Sequence, residues 1–137
     1  MKPRAILEAA LYVNDLAEAE RFYGEVLGLD LLAKAEGRHV FFRCGDSVLL
    51  LFDPKTTEAP PEPGARLPVP PHGARGPGHL CFSASTEEID LWKKRLEGHN
   101  IAIEADFVWP KGGRSIYFRD PSGNSLEFAE PRIWGFS

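Results

Sequence analysis

Ionisable side chains occur within segments that otherwise have the composition of buried β-strands. Glu127 stands between Leu126 and Phe128, and Glu8 and His79 occur in two other apolar segments. Residues two apart in a strand share a face, so each ionisable group lies opposite its apolar neighbours. A sheet face inside a small domain is apolar unless it lines a cavity or faces water. Carboxylates and imidazoles transfer protons in enzymes, which makes this face a candidate site.

The segments that carry these residues occur twice in the chain. Each half has an alternating apolar segment, then a charged amphipathic segment, then three further strand-like segments. The stretch from Arg38 to Leu50 resembles the stretch from Arg114 to Phe128. Such a repeat predicts the order strand–helix–strand–strand–strand in each half. The predicted strands are 8–13, 29–35, 38–44 and 47–53, then 79–84, 101–109, 113–119 and 124–130, with helices over 15–27 and 86–96.

Both predicted helices begin with a capping signal. Asp15 is followed three residues later by Glu18, and Ser85 by Glu88, which is the spacing of an N-cap residue and its partner. Gly28 is expected to end the first helix. One helix covers only one face of a four-stranded sheet, so the two halves are expected to need each other. The apolar set Leu7, Ala9, Leu11 and Val13 is predicted to face the first helix.

Composition limits the class of protein. With 137 residues, 43% of them hydrophobic, the chain can form one domain with a sizeable core. A net charge of -4 disfavours nucleic acid as a partner, and no apolar run approaches the roughly 20 residues that span a bilayer. The amino-terminal residues do not have the pattern of a signal peptide, and two cysteines do not indicate a disulfide scaffold. We therefore expect a cytoplasmic protein that contacts neither nucleic acid nor membrane.

Proline is concentrated in one stretch. Eight of the twelve prolines lie between Pro54 and Pro77. Proline lacks an N–H donor and fixes φ, so this stretch is not expected to form a ladder strand or a helix interior. The chain is interpreted as a single domain, 1–137, made of modules 5–53 and 77–131. The proline-rich loop 54–76 joins the modules and is a candidate lid.

Two segments of the chain carry a resemblance to a known superfamily. The sequence LYVNDL at 11–16 and the sequence YFRDPSGNSLE at 117–127 resemble the opening and closing segments of the vicinal oxygen chelate superfamily. That superfamily includes glyoxalase I, bleomycin and fosfomycin resistance proteins, and extradiol dioxygenases. The resemblance implies an α+β fold, in which two βαβββ modules form a curved mixed sheet around a cleft (the glyoxalase-like fold). It also implies a divalent metal at the floor of the cleft and a homodimer.

The resemblance assigns the metal ligands to the first and last strands of the modules. It implies that Glu8, His79 and Glu127 bind the metal, with Glu8 standing where many members have His or Gln. The fourth position falls on Leu49, which cannot bind a metal. One imidazole and two carboxylates suit Mn, Fe, Ni, Zn or Mg. Glu8 and Glu127 are also the candidate catalytic residues, because a carboxylate that is not committed to a metal can move a proton.

Other residues are candidates for binding a small-molecule substrate. They are aromatic or polar side chains on the same strand faces or at the strand ends: Tyr12, Phe41, Trp109, Ser115, Tyr117 and Arg119. The segment 113–118 is similar to a segment of fosfomycin resistance enzymes that contacts the phosphonate of the drug. His39, His72 and His99 belong to no motif and are predicted to lie on the surface or in loops.

Several functions remain open at this point. The first is a divalent-metal-dependent enzyme that acts on a small oxygen-rich substrate as an isomerase, a lyase or a thiol transferase. The alternative is a metal-free protein that binds a ligand or an antibiotic, as bleomycin resistance proteins do. A transferase similar to the fosfomycin resistance enzymes is the third. The fold alone does not decide among them, because one scaffold supports many chemistries.

Overall fold

Each half of the chain folds around a four-stranded sheet. The computed structural model describes all residues from Met1 to Ser137, which form two units, Met1–Gly76 and Pro77–Ser137. The first unit contains β1 (Glu8–Tyr12), α1 (Leu16–Arg21), β2 (Asp30–Ala35), β3 (His39–Cys44), β4 (Ser47–Phe52) and the short α2 (Pro54–Thr57). The second contains β5 (His79–Ser83), α3 (Thr86–Gly98), β6 (Ala105–Val108), β7 (Arg114–Arg119), β8 (Ser125–Ala129) and a 3₁₀ turn at Pro131–Trp134. The predicted α+β order of elements is confirmed in both units.

The two sheets have the same topology. The strand order is β1-β4-β3-β2 in the first unit and β5-β8-β7-β6 in the second. The first and last strands of each unit pair in parallel, and the remaining pairs are antiparallel. The helix crossover that a parallel pair requires is α1 in one unit and α3 in the other. The first and last strands therefore lie side by side at one edge of each sheet.

The predicted capping residues begin both helices. The Glu18 backbone N–H donates to Asp15 Oδ1 over 3.0 Å. At α3, the Glu88 N–H donates to Ser85 Oγ and the Ser85 N–H donates to Glu88 Oε1, which completes a capping box. Gly28, with φ at +73°, follows the π-helical turn that extends α1. No helix of the protein combines the length and the apolar character needed to cross a membrane.

One face of each sheet packs against its helix and forms the core. In the second unit, Trp92 of α3 stacks on Phe128, with 4.6 Å between the ring centroids. Leu7 departs from the prediction: it precedes β1 and is 70% exposed, because the sheet begins one residue later. The buried apolar residues are Leu11, Val13, Ala19, Phe22, Tyr23, Leu27, Val40, Phe42, Leu49, Leu51 and Phe52, then Ala84, Ile89, Leu96, Ile116, Phe118, Leu126, Phe128 and Ala129.

The proline-rich stretch is less irregular than predicted. It begins with the single turn α2, in which Pro54 occupies the first position. Proline is tolerated there because the N–H that it lacks would have no partner inside the helix. The Asp53 side chain caps the turn by accepting from the Lys55 N–H. The prediction of no helix interior holds for the rest of the stretch.

The turn between β7 and β8 is held by its own side chains. The Asp120 carboxylate accepts from the Asn124 backbone N–H and from the Asn124 side-chain amide, both over 2.9 Å. Asn124 Oδ1 in turn accepts from the Gly78 N–H over 2.7 Å. This last bond joins the residue before β5 to the residue before β8. It therefore supports the register in which His79 lies opposite Ser125.

We predict that Asn124→Ala lowers the free energy of unfolding by roughly 1–3 kcal/mol, because it leaves buried polar groups without partners. Urea denaturation followed by circular dichroism measures the change. Glu87→Ala, at an exposed position in α3, is the control and should change the free energy by less than about 0.5 kcal/mol. Equal effects of the two substitutions would show that the Asn124 bridge does not support the strand register.

Candidate functional site

The ionisable residues of the second unit lie on the helix-free face of its sheet. His79 begins β5, and Glu127 lies at the centre of β8, where it pairs with Cys81 on one side and with Tyr117 on the other. His79 Nε2 lies 3.3 Å from Glu127 Oε1. The expected pairing of His79 with Glu127 is therefore present in the folded unit.

The backbone orients the His79 ring. His79 Nδ1 lies 3.0 Å from the Ser125 carbonyl oxygen. A carbonyl oxygen can only accept, so Nδ1 carries the hydrogen. In the neutral ring the lone pair of Nε2 then faces Glu127 Oε1, and two acceptors in contact require a positive charge between them. A proton or a metal ion can supply that charge.

Glu127 is buried in an unusual state. The residue is 5% exposed, and its Oε2 atom is buried without a hydrogen-bond partner. A buried polar atom without a partner costs free energy, and a charged one costs more. A cation that contacts the carboxylate would offset this cost. The donor set of one oriented imidazole and one orphaned carboxylate oxygen fits a divalent metal.

The neighbours of Glu127 stay protonated near neutral pH. Burial, followed by the charge of the adjacent Glu127 carboxylate, raises the pKa of the Tyr117 hydroxyl to about 12. The same two causes raise the pKa of the Cys81 thiol to about 12. Cys81 is therefore not a thiolate nucleophile at pH 7, and the Tyr117 hydroxyl keeps the proton that it shares in a hydrogen bond with Glu127.

An aromatic row extends from His79 across this face. His79 stacks on Tyr117, Tyr117 on Phe107, and Phe107 meets Trp109 edge to face. Trp109 Nε1 donates to Ser115 Oγ over 2.8 Å, and Ser115 is fully buried. Ser115 and Trp109 therefore support the row, and the Ser115 hydroxyl already has a partner.

The arginines of β7 are engaged elsewhere. Arg119 lies exposed at the end of the strand, where Nε donates to Glu104 over 2.7 Å. Arg114 bridges Asp90 and Asp106, which joins α3 to β6. Neither guanidinium is free to bind an anion without breaking these pairs. The proposed substrate role of Arg119 has no support from this geometry.

The helix-free face of the first unit forms the floor of an open groove of about 640 Å³. Glu8, Ala10 and Tyr12 of β1, Phe41 of β3, and Leu50 and Phe52 of β4 line the floor. Glu8 is exposed at one end, whereas Tyr12 and Phe52 lie at the other. The predicted residues Glu8, Tyr12 and Phe41 therefore share one surface.

Leu49 is not the counterpart of Glu127, so that prediction is wrong. Leu49 pairs with Ala9, is 3% exposed, and belongs to the core face. Leu50 pairs with Ala10 and Phe41, as Glu127 pairs with Cys81 and Tyr117. Leu50 is therefore the residue that stands where the second unit has a carboxylate, and it too cannot bind a metal.

The error comes from a difference in turn length. Arg43 pairs with Val48 across residues 44–47, whereas Arg119 pairs with Ser125 across residues 120–124. The second turn is one residue longer, so aligning the glycines of the two turns shifts the last strand by one position. A shift of one residue moves a side chain to the opposite face of a sheet.

The proline-rich stretch contributes one wall of the groove. The segment Val69–His72, here called the strap, lines it. His72 holds the strap in place: its N–H donates to the Thr57 carbonyl, and its Nδ1 lies 2.6 Å from the Tyr12 hydroxyl. Arg75 also pairs with Glu58 over 2.6 Å. The stretch is therefore part of the groove of the first unit.

Arg38 and His39 were not expected to belong to this surface. His39 stacks on Phe41 with 3.9 Å between centroids, and Arg38 Nη1 lies 2.7 Å from His39 Nδ1. The alternation of His39 with Phe41 in β3 was a usable signal for His39. No local signal exists for His72, because its position depends on how the proline-rich stretch returns to the sheet.

The structure gathers the predicted site residues into two groups. The second unit brings together His79, Glu127 and Tyr117, supported by Ser115 and Trp109, and the first unit brings together Glu8, Tyr12 and Phe41. No cluster of three His, Cys, Asp or Glu side chains suited to a metal ion is present. The three ligands implied by the resemblance are thus divided between the units.

Comparisons with known proteins agree with this architecture. Residues 5–128 match the model of the Glyoxalase/Bleomycin resistance protein/Dioxygenase superfamily. A crystal structure of lactoylglutathione lyase from Agrobacterium tumefaciens is 47% identical with a TM-score of 0.91, over 99% of this chain and 100% of that chain.

Two further relatives are similar in sequence. Glutathione transferase FosA of Serratia marcescens is 30% identical over 121 residues, which are 85% of this chain and 74% of the relative. Lactoylglutathione lyase of Salmonella typhimurium is 29% identical over 133 residues, 95% of both chains. With its two βαβββ units and a family match over nearly its whole length, this chain belongs to the glyoxalase/bleomycin resistance protein/dioxygenase superfamily.

Proposed function

We propose that this protein is a divalent-metal-dependent enzyme of the isomerase or lyase type that acts on a small oxygen-rich substrate. The observation that carries the proposal is the buried Glu127 Oε2 atom without a partner, beside a His79 ring oriented by the Ser125 carbonyl. Burying a carboxylate oxygen without a partner costs free energy of folding, and a cation bound to that oxygen would offset the cost.

Glu8, His79 and Glu127 are the metal ligands in this proposal. Leu50 removes a fourth protein ligand, which leaves room for oxygen atoms of the substrate. One imidazole and two carboxylates suit Mn, Fe, Ni, Zn or Mg. A bound ion would supply Lewis-acid polarisation of a substrate oxygen. Glu8 occupies in β1 the register that His79 occupies in β5, which supports its assignment.

The side chains of the protein would perform the proton transfers. Whichever of Glu127 and Glu8 is not committed to the ion removes the proton from a hydroxyl-bearing carbon next to a carbonyl group and returns it to the carbonyl carbon. The hydroxyl proton passes to the former carbonyl oxygen, so the isomerisation needs no co-reactant. Tyr117 keeps its proton because burial raises its pKa to about 12, and its hydroxyl can donate to a substrate oxygen. The aromatic row beside it orients the substrate through Phe107 and Trp109.

Thiol adducts of glutathione are the substrate class that we favour. The Agrobacterium tumefaciens and Salmonella typhimurium relatives are lactoylglutathione lyases by name, and the Serratia marcescens relative is a glutathione transferase. Cys44 and Cys81 are free thiols, consistent with a reducing cytoplasmic location. A homodimer is part of the proposal, as the resemblance to the superfamily implies.

One observation favours a second function. The groove of the first unit is aromatic, of a size suited to a small molecule, and made without any metal ligand except Glu8. A metal-free protein that binds a ligand or an antibiotic would need only such a groove. This candidate differs from the first in requiring no metal.

Metal content distinguishes the two functions. We expect protein purified without chelator to hold a divalent ion in stoichiometric amount, measured by elemental analysis, and to lose it in Glu127→Gln. Adding Mn²⁺, Ni²⁺ or Zn²⁺ to chelator-treated protein should raise Tm, since a ligand that binds only the folded state stabilises it. Glu87→Gln, on the exposed surface of α3, should behave as the unsubstituted protein does. No metal and no shift in Tm would favour the metal-free binding protein.

Turnover tests the substrate class. The metal-loaded protein should isomerise the adduct of methylglyoxal with glutathione, and Glu127→Gln, which is expected to lose the ion, should lower kcat by about 100-fold or more. Tyr117→Phe should lower kcat by about tenfold with little change in KM, since one hydrogen bond is lost in the transition state. Addition of glutathione to fosfomycin is assayed in parallel. Turnover of fosfomycin alone would identify the protein as a transferase, and turnover of neither substrate would exclude both glutathione reactions.

A further inference from the structure

Arg38 is a cation without an acidic partner at one end of the groove of the first unit. Arg75, Arg114, Arg119 and Arg132 each pair with a carboxylate, whereas no carboxylate lies within 4.0 Å of Arg38. Arg38 is nevertheless half-buried and lines the groove. A partly desolvated cation that faces a cavity and lacks a counter-charge is a recognition group for an anion.

The guanidinium is held in a defined position. Its central carbon lies 5.5 Å from the centroid of the Phe52 ring, a cation–π distance. Nη1 lies 2.7 Å from His39 Nδ1, and a guanidinium can only donate, so His39 Nδ1 accepts. One of its five N–H groups is thereby used, and the remaining donors stay available to a ligand. A preorganised fork of this kind suits the two oxygens of a carboxylate.

The polarity of the groove changes along its length. Glu8 pairs with Val48 at one end of the floor, and Phe52 pairs with His39 and Tyr12 at the other. Tyr12 follows Glu8 by four positions in β1, which is about 13 Å along the strand. Ala10, Leu50 and Phe41 lie between these ends. The floor is thus acidic at one end, apolar in the middle and basic near Arg38.

The strap encloses the basic end. His72 packs edge to face on Phe52 with 4.7 Å between centroids, and it contacts the Tyr12 hydroxyl. Val69, Pro70 and Pro71 add an apolar wall that donates no side-chain hydrogen bond. Phe52 is 4% exposed, so the ring beside the Arg38 guanidinium is shielded from water, and a less polar surrounding strengthens the attraction of Arg38 for an anion.

We propose that this groove binds a small organic acid, with the carboxylate on Arg38 and the apolar or aromatic body against Phe41, Leu50 and Phe52. Arg38 is then the residue that determines specificity for an anionic substrate. This proposal does not depend on the metal chemistry, because Arg38, Phe41, Leu50 and Phe52 all belong to the first unit and none of them is a proposed metal ligand. It can therefore be tested on protein that has been freed of metal.

The test compares three probes with the same body. 5-Phenylpentanoate, the neutral 5-phenylpentanamide and the cationic 5-phenylpentylamine are titrated into chelator-treated protein by isothermal calorimetry. The acid should bind at least about tenfold more tightly than the amide, the ratio expected for a charge-assisted hydrogen-bonded pair. The amine should bind least. Equal affinities of the acid and the amide, or no binding of the acid, would overturn the proposal.

Substitutions then locate the anion. Arg38→Gln should weaken binding of the acid by about tenfold and leave that of the amide unchanged, whereas Arg38→Lys should restore part of the loss. Arg43→Gln is the matched control, since Arg43 lies in β3, the strand that begins directly after Arg38, and is exposed at the far end of that strand, where Nε donates to the Gly45 carbonyl. Phe41→Ala should weaken both probes alike. Equal losses in Arg38→Gln and Arg43→Gln would show a non-specific charge effect and overturn the assignment.

His39 gives an independent signal of the charge on Arg38. Burial, and then the adjacent Arg38 charge, hold the pKa of His39 below its ordinary value. Folded protein therefore binds fewer protons at His39 than unfolded protein does. The free energy of unfolding consequently falls as pH drops below the ordinary pKa of histidine. The pKa of His39, followed by NMR, should rise in Arg38→Gln and also when 5-phenylpentanoate binds. It should not move in Arg43→Gln, and a pKa that is insensitive to the acid would place the anion elsewhere.

Discussion

Parallel pairing of the first and last strands organises each unit. It places the first residue of the first strand on the same sheet face as the central residue of the last strand, two positions further along. In the second unit this pairing brings His79 diagonally against Glu127, with 3.3 Å between Nε2 and Oε1. The Asn124 bridge to Gly78 and the Ser125 carbonyl on His79 Nδ1 both belong to the same strand pair. The orientation of the His79 ring and the high pKa of Cys81 follow from that register, and the high pKa of Tyr117 follows from the antiparallel pairing of β7 with β8.

The two units use this framework differently. The second unit buries a carboxylate and surrounds it with a phenol, a thiol and an imidazole, a set that suits a cation and proton transfer. The first unit places Leu50 at the corresponding position and fills the same face with aromatic rings. One unit thus presents ionisable groups on this face, whereas the other presents an apolar and aromatic one. This division agrees with a superfamily in which one repeated module supports several chemistries.

Much of the fold could be predicted because its signals are local. The capping pairs at Asp15 and Ser85, the alternation in β5 and β8, and the repeat of the two halves each depend on residues close in sequence. The predicted pairing of His79 with Glu127 came from the same alternation together with the resemblance to the superfamily. What failed was the assignment of Leu49, since the length difference between two turns is a matter of pairing and is invisible in the pattern of either strand.

The sequence by itself determined the order of elements, the faces of most strands, the superfamily and the identity of the ionisable groups. Only the tertiary structure decided that Leu50 corresponds to Glu127, that the strap returns to the sheet through His72, and that Arg38 is left without an acid. The physical reason is the same in each case. Register, loop return and the presence of a counter-charge depend on contacts between residues far apart in the chain, and local composition carries no record of which of them will meet.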